Sequence, residues 1–404
     1  MDFPLLFHGY LGQRVHLGVC GSVAALKAVD LARGLTGLGL RVSATLTRGA
    51  CEFVRPLSFE AAGASPVFAP EAFFHGPGFA HLQPGKTAQA LVIAPATANI
   101  LAKLACGLAD DQLSCQALAF PGPILLAPAM NTTMWSAAAT RENWAKLLAR
   151  GCTGIGPDAG ALACGDVGPG RLAPVEDIAA SVCRAISPQD LTGRRVLVTL
   201  GPTREPWDAA RLLSNASSGL MGACLASAAW LRGAEVSVVA GPTSLRFVAD
   251  ISVARVTTAR EMHAAVLDLW PGMDFGCFAA AVSDFRPAAP TRAKLKKAAA
   301  QDQLTLRLAP NPDILADAGK RKRKGQKLLG FAAETGDLLP AARQKLKAKR
   351  LDLIAANRID VAGSGFGTAT DEVLVLDRLG RVERWPILPK HEVAWRLWDL
   401  LLLS

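Results

Sequence analysis

A single tyrosine in 404 residues, and aromatics at only 6%, leave little for a surface that binds through aromatic rings. Charged residues make up 19% against 50% hydrophobic, which excludes a disordered chain and allows each domain a full core. The nine cysteines form no CxxC pair and are odd in number, so neither a zinc ribbon nor a closed disulfide framework is expected. Mostly buried, inert thiols in a reducing compartment are expected instead. The apolar window at 91–109 is broken by Thr97, Asn99 and Lys103, too short and mixed to span a bilayer. The start MDFPLLF has no basic region or cleavage site, so a cytoplasmic protein is expected. GxGxxG and Walker A motifs are both missing, which demotes ordinary dinucleotide and P-loop binding.

What is present is glycine, proline and positive charge: 37 Gly, 25 Pro, and a formal net charge of +10. That charge favours anionic partners, but nucleic acid, acidic membrane and phosphorylated small molecules all satisfy it. The segment RVHLGVCG at 14–21 reads as a buried strand entering a glycine turn, followed by helical spacing over 22–38. Strand, turn and helix in that order cradle phosphate on free N–H groups, here at Gly21 and Ser22. A strand over 41–46 leads to Thr47, which suits a helix N-cap at least as well as a phosphate contact. Strands at 90–94 and 123–127 end in Ala96-Thr97-Ala98-Asn99 and Ala129-Met130-Asn131. Ligands of open parallel sheets sit beyond such ends, so Thr97, Asn99 and Asn131 are expected to share one crevice. His81 lies before the strand at 90–94, although a lone histidine is more often packed or solvated than basic. The run ACGDVGPGR at 163–171 reads as a loop that presents Cys164, with an idle surface thiol as the alternative.

Polar residues at 186–195 read as a linker, and a second doubly wound α/β unit follows. Its strands are expected at 195–200, 235–240 and 278–282, with a helix over 220–231. Lysine runs at 294–297 and 345–349 suit a triphosphate, though such runs are usually solvated faces. The basic run at 320–324 reads as a solvated connection, with nucleic-acid binding as runner-up.

The segments GSVAALK, APATAN, PAMN and ACGDVGPGR occur in the order of the flavoprotein cysteine decarboxylases, and GPTREP, SNASSG, AAVSDFRP, KLKK, NPDI and GFAAET follow. Together they resemble the bifunctional phosphopantothenoylcysteine decarboxylase/phosphopantothenate–cysteine ligases of coenzyme A biosynthesis. The resemblance implies a flavodoxin-like flavoprotein decarboxylase domain at 12–186 and a Rossmann-like CTP-dependent ligase domain at 191–404. It implies His81 as base, Asn131 on the substrate carboxylate and Cys164 as acid. FMN would lie against Gly21, Ser22, Thr47, Ala96, Thr97, Ala98, Asn99 and Ala129. Decarboxylation needs an electron sink, which a flavin supplies by oxidising the substrate thiol. A neutral amide suits a carboxylate that leaves as neutral CO2, because a full positive charge would over-stabilise the ground state.

In the ligase half the resemblance implies an acyl-cytidylate from 4′-phosphopantothenate and CTP, which the cysteine amine then opens. Asn215 would assist that step and Lys294 contact the triphosphate. Ala280, Asp284, Pro312, Asp313, Ile314, Leu315, Phe331, Lys345 and Lys349 would complete the CTP site, with Mg2+ or a similar divalent ion. The partners implied are small molecules and further copies of the chain, in trimeric decarboxylase and dimeric ligase contacts that can build a dodecamer, with FMN at a subunit contact. No nucleic acid or membrane is implied. The family commonly has lysine where this chain has Leu220, and often tyrosine where it has Phe285. A decarboxylase with a weakened ligase half is therefore the alternative.

Overall fold

Short apolar runs such as RVHLGV and ALVIAPA are buried along nearly their whole length, which suits parallel strands covered on both faces. The computed structural model describes residues 9–71, 79–248, 250–294 and 305–404. The chain divides into two compact units, one ending at Ser187 and the other continuing from Pro188.

In the first unit, β1 (Arg14–Val19), β2 (Arg41–Leu46), β3 (Val67–Phe68), β4 (Ala90–Ala96), β5 (Ile124–Pro128) and β6 (Thr153–Gly154) form one sheet. Their order is 3-2-1-4-5-6, all parallel, so the winding direction reverses between β1 and β4. That reversal opens a crevice at the carboxyl ends of the strands. Helix Ala25–Gly37 packs against Val175–Ile186, and Ala98–Cys106 against Ala138–Ala149. Leu91, Ile93, Ile100 and Leu126 centre the core, with Trp135 edge-on to Trp144 at 5.4 Å.

Two local expectations change in this unit. Helix 22–38 starts only at Ala25, because Ser22 and Val23 form a turn, and Thr47 leads into a single 3-10 turn at Ala50–Glu52. The Thr47 hydroxyl accepts from the Ala50 amide at 3.3 Å, so it caps that turn. The run 163–171 is only half loop. Its second half is β8 (Val167–Arg171), paired antiparallel with β7 (Asp158–Ala161), because the extended glycine-rich arm finds a partner strand.

The second unit repeats the winding. Its sheet runs β13 (Ser252–Arg255), β12 (Glu235–Ala240), β9 (Arg195–Leu200), β14 (Phe275–Phe278), β17 (Lys327–Glu334), β18 (Leu353–Arg358), β19 (Thr370–Asp377) and β20 (Val382–Pro389). Strands are parallel as far as β18, and the last two are antiparallel. Small hairpins of β10 (Arg204–Pro206) with β11 (Leu212–Ser214), and of β15 (Phe285–Pro287) with β16 (Leu308–Pro310), flank the strand ends. The strand expected at 278–282 is instead Phe275–Phe278. Phe278 pairs with Thr199, one residue before β9 ends, and beyond it the pairing continues only as an isolated parallel bridge between Pro202 and Ala281. Helix Leu220–Leu231 is buried along nearly its whole length, and Trp398 of helix Lys390–Leu403 donates to the Leu225 carbonyl at 3.0 Å. No described helix is long and apolar enough to cross a membrane.

Candidate active sites

In the first unit a cavity of about 570 Å³ opens beyond β1, β2, β4 and β5. Gly21, Ser22, Thr47, Thr97, Ala98, Asn99 and Ala129 all line it, while Ala96 is buried behind them. Its floor is bare backbone: a Cβ on Gly21 would sit 2.7 Å from the Gly49 carbonyl carbon. Such a floor lets a phosphate or flat ring reach main-chain N–H groups. Thr97 caps helix Ala98–Cys106 by accepting from the Ile100 amide at 3.4 Å. Arg48, which sequence reasoning passed over inside TRGA, also lines the cavity.

A second cavity, of about 470 Å³, adjoins the first and shares Ser22, Ala129 and Met130 with it. Asn131 and Cys164 line this one, so Asn131 stands beside the crevice of Thr97 and Asn99, not within it. The β7–β8 hairpin brings the thiol there. The Met130 amide donates to the Gly170 carbonyl at 2.9 Å, and Gly170, at φ +133°, has no room for a Cβ against the Met130 carbonyl. Asn131 Oδ1 accepts from the Thr133 amide at 2.8 Å, which turns its Nδ2 outward. Nδ2 then lies 3.4 Å from Cys164 Sγ and 2.5 Å from Asp166 Oδ2, and Sγ is itself 3.4 Å from that carboxylate oxygen. Asp166 was quoted in the motif but given no role, because only folding shows it facing both partners. The thiol is exposed, whereas burial pushes Cys20, Cys183 and Cys224 up to about 12.

His81 lines neither cavity. The segment before it is tied to the sheet through Gln116. Gln116 Nε2 donates to the Ala80 carbonyl at 3.2 Å, and Gln116 Oε1 accepts from Thr45 Oγ1 at 2.7 Å and faces His16 Nε2 at 3.2 Å. His16 Nε2 is 2.9 Å from Thr45 Oγ1, and Nδ1 is 2.7 Å from Ser43 Oγ. These contacts are satisfied together when Nε2 carries the proton and Nδ1 accepts from serine. Burial lowers the His16 pKa to about 4, with Gln116 opposing in part.

In the second unit a cavity of about 320 Å³ lies beyond β9, β14, β17 and β18. Asn215, Ala280, Phe331 and Lys345 line it. Asn215 Nδ2 donates to the Ala281 carbonyl at 3.0 Å, and Lys345 Nζ to that of Phe331 at 2.7 Å. Burial, then Lys349, lowers the Lys345 pKa. Asp284, Lys294, Pro312, Asp313 and Lys349 are not among the lining residues. Lys349 pairs with Asp313 at 2.8 Å, and Asp313 caps helix Ile314–Lys320. Burial raises the Asp313 pKa, but Lys349 and the Ala316 amide outweigh it and leave it lowered. Ile314 and Leu315 face the hydrophobic core, 4% and 8% exposed, as apolar residues on a helix's inner side must. Lys294 is exposed, and the rest of KLKK, residues 295–297, lies outside the described residues.

Among the lining residues that came without warning from the sequence are Asn357, Asp371 and Lys390. Asp371 Oδ1 accepts from Asn357 Nδ2 at 3.1 Å, Ser364 Oγ at 2.9 Å and the Gly365 amide at 2.8 Å. Lys390 Nζ donates to the Gly365 carbonyl at 2.8 Å. The glycine-rich run GSGFG at 363–367 was the available signal for a loop close to a ligand. Among the described residues no group of three or more His, Cys, Asp or Glu could hold a metal ion.

The flavoprotein family model matches residues 8–187, and the DNA/pantothenate metabolism flavoprotein C-terminal domain matches residues 191–403. The coenzyme A biosynthesis bifunctional protein CoaBC of Vibrio vulnificus (strain YJ016) is 39% identical over 368 residues, 90% of each chain. That of Escherichia coli (strain K12) is 40% identical over 385 residues, 91% of this chain and 94% of that one. The chain belongs to this bifunctional family. The likeness extends to Bacillus subtilis (strain 168), whose CoaBC is 38% identical over 391 residues, 95% of each. The decarboxylase–ligase family named from the motifs is thus the right one, and its two halves match the two family models in order.

Proposed function

We propose that the C-terminal unit joins 4′-phosphopantothenate to cysteine at the expense of CTP, and that the N-terminal unit decarboxylates the product to 4′-phosphopantetheine. The observation that carries this reading is the contact of Asn131, Cys164 and Asp166 at a cavity beside a glycine-floored cleft. Gly21, Ser22, Thr47, Thr97, Ala98, Asn99 and Ala129 would hold FMN, with Ala96 behind it. When bound, the flavin supplies a two-electron sink for the substrate thiol. Asn131 Nδ2 orients the departing carboxylate, and the Cys164 thiol protonates the product after CO2 leaves. Asp166 holds both in place.

His81 acts as base from a neighbouring subunit, which reconciles its family role with its absence from the lining of both cavities in one chain. The family's trimeric and dimeric contacts, and the dodecamer they build, belong to the same reading. In the ligase unit Asn215 serves the acyl-cytidylate, Ala280, Phe331 and Lys345 the nucleotide, and Lys294 the triphosphate with Mg2+. Asp284, Pro312, Asp313 and Lys349 form the outer rim, with Ile314 and Leu315 as its packed support. The free thiols suit the cytoplasm.

A yellow protein with bound-flavin bands that releases CO2 from 4′-phosphopantothenoylcysteine is the expected result. A preparation that takes up no FMN would overturn the decarboxylase reading. Leu220 in the wall of the nucleotide cavity favours the weakened ligase as second reading. A CTP-dependent coupling rate matching the decarboxylation rate would dispose of it.

A further inference from the structure

The nucleotide cavity of the second unit is short of uncommitted cations. Of the lysines that line it, Lys345 donates to the Phe331 carbonyl and Lys390 to the Gly365 carbonyl, while Leu220 is aliphatic. A triphosphate carries about four negative charges near neutral pH, and such charge needs donors aimed at it.

Beyond Ser218, which lines both spaces, a cavity of about 620 Å³ opens at the carboxyl ends of β12 and β13. Arg204 and Arg255 line it, and no carboxylate does. Among the described residues, neither guanidinium has an ion-pair or hydrogen-bond partner. Acids in neighbouring segments are committed to backbone: Glu261 accepts from the Thr257 amide at 2.7 Å, and Glu205 from the Ala259 amide at 2.9 Å. Where the two cavities meet, the walls are glycine. A Cβ on Gly219 would lie 3.0 Å from the Gly201 amide nitrogen, and one on Gly201 would lie 3.1 Å from the Gly241 carbonyl oxygen. Thr243 Oγ1 donates to the Ser218 carbonyl at 2.9 Å and holds the cavity's loop to the edge of the nucleotide site. The equivalent strand end in the first unit, after β2, places Arg48 in the flavin-sized cleft.

We propose that this cavity binds the diphosphate end of the nucleotide, and the pyrophosphate it becomes, through Arg204 and Arg255. The proposal rests on the CTP-dependent reading above. In the step it serves, a substrate carboxylate oxygen bonds to the α-phosphorus, the bond from that phosphorus to the bridging oxygen breaks, and pyrophosphate leaves with the electron pair. Planar guanidinium forks match its oxygens two at a time. The 4′-phosphate of the acid substrate shares this chemistry, and the test separates the two sources.

Full-length protein and the variants Arg204→Gln, Arg255→Gln and their double are titrated with inorganic pyrophosphate and assayed for ligation. Each single change is expected to weaken pyrophosphate binding about tenfold, and to raise the CTP KM and the pyrophosphate inhibition constant together. Arg204→Lys and Arg255→Lys should recover part of the affinity, which a folding defect would not allow. Unchanged pyrophosphate affinity in the double variant overturns the proposal. So does a rise confined to the KM for 4′-phosphopantothenate, which would assign the cavity to that phosphate. Arginine-dependent pyrophosphate binding without any CTP-dependent coupling would support the site and overturn the ligase reading alone.

Discussion

The two units wind their sheets alike, 3-2-1-4-5-6 in the first and 13-12-9-14-17-18 in the second, and both open their cavities at the same strand ends. What differs is the appended chain. In the first unit the β7–β8 hairpin folds back on the turn after β5 and sets a thiol against an amide and a carboxylate. In the second, β19 and helix Lys390–Leu403 deliver Asp371 and Lys390 to the back of the cavity. A doubly wound sheet therefore decides where a ligand goes, and the additions decide what happens to it.

The sharpest way to break the comparison is to remove chemistry from one unit alone. Cys164→Ser should lower formation of finished product by at least about 100-fold, the low end for general acid catalysis, while CO2 release and CTP-dependent ligation persist. His81→Asn should stop before CO2 release. Loss of both variants at one step, read by CO2 and thiol assays, would refute the division of roles.

Next in size is a pH effect confined to the first unit. His16 has a folded pKa of about 4 against an ordinary value near 6.5, so between these the unfolded chain binds more protons. Its contribution is complete above pH 6.5 and fades as pH falls toward 4, by roughly 3 kcal/mol. Urea melts of the flavin-bearing unit should show this loss, and His16→Asn should flatten it. Gln116→Leu should loosen the Ala80 carbonyl, so that decarboxylation falls while ligation holds.

Gly21→Ala and Gly241→Ala probe a strand-end turn in each unit. At Gly241 a Cβ would collide with the Pro202 carbonyl, and the second unit should lose about 1–3 kcal/mol in a melt. At Gly21 the same change should cost flavin retention first. The smallest effect is expected from Leu220→Lys. A cation restored beside Asn215 should lower the CTP KM by about two- to fivefold, as a half-exposed charge does. No change in KM would mean that the leucine does not limit the ligase.

Much of the framework was legible residue by residue. Strands Arg41–Leu46, Arg195–Leu200 and Glu235–Ala240 and helix Leu220–Leu231 lie where their patterns placed them, because each is an apolar run bounded by turn residues. That Gly21, Ser22, Thr47, Thr97 and Asn99 would stand at strand ends was legible for a related reason, since each follows an apolar run, whereas Ala98 and Ala129 were implied only by the resemblance. Asp166, Gln116, Asp371 and Lys390 were not legible. Each acts through a partner that the chain order leaves unspecified, such as Gln116 on Ala80 or Lys390 on Gly365. That the side chains of Ile314 and Leu315 face the core was not legible either, because a motif names residues without saying which side of a helix they take.

By itself, then, the sequence determined the two doubly wound units, the glycine turns and the family, since local patterns and motif order survive without coordinates. Only the tertiary structure decided that Cys164 meets Asn131 and Asp166, that His81 lines neither cavity of its own unit, and that Arg204 and Arg255 share a cavity. Those are meetings of side chains set by sheet register and by how far glycines let backbones approach. Neither quantity is written in any single stretch of sequence.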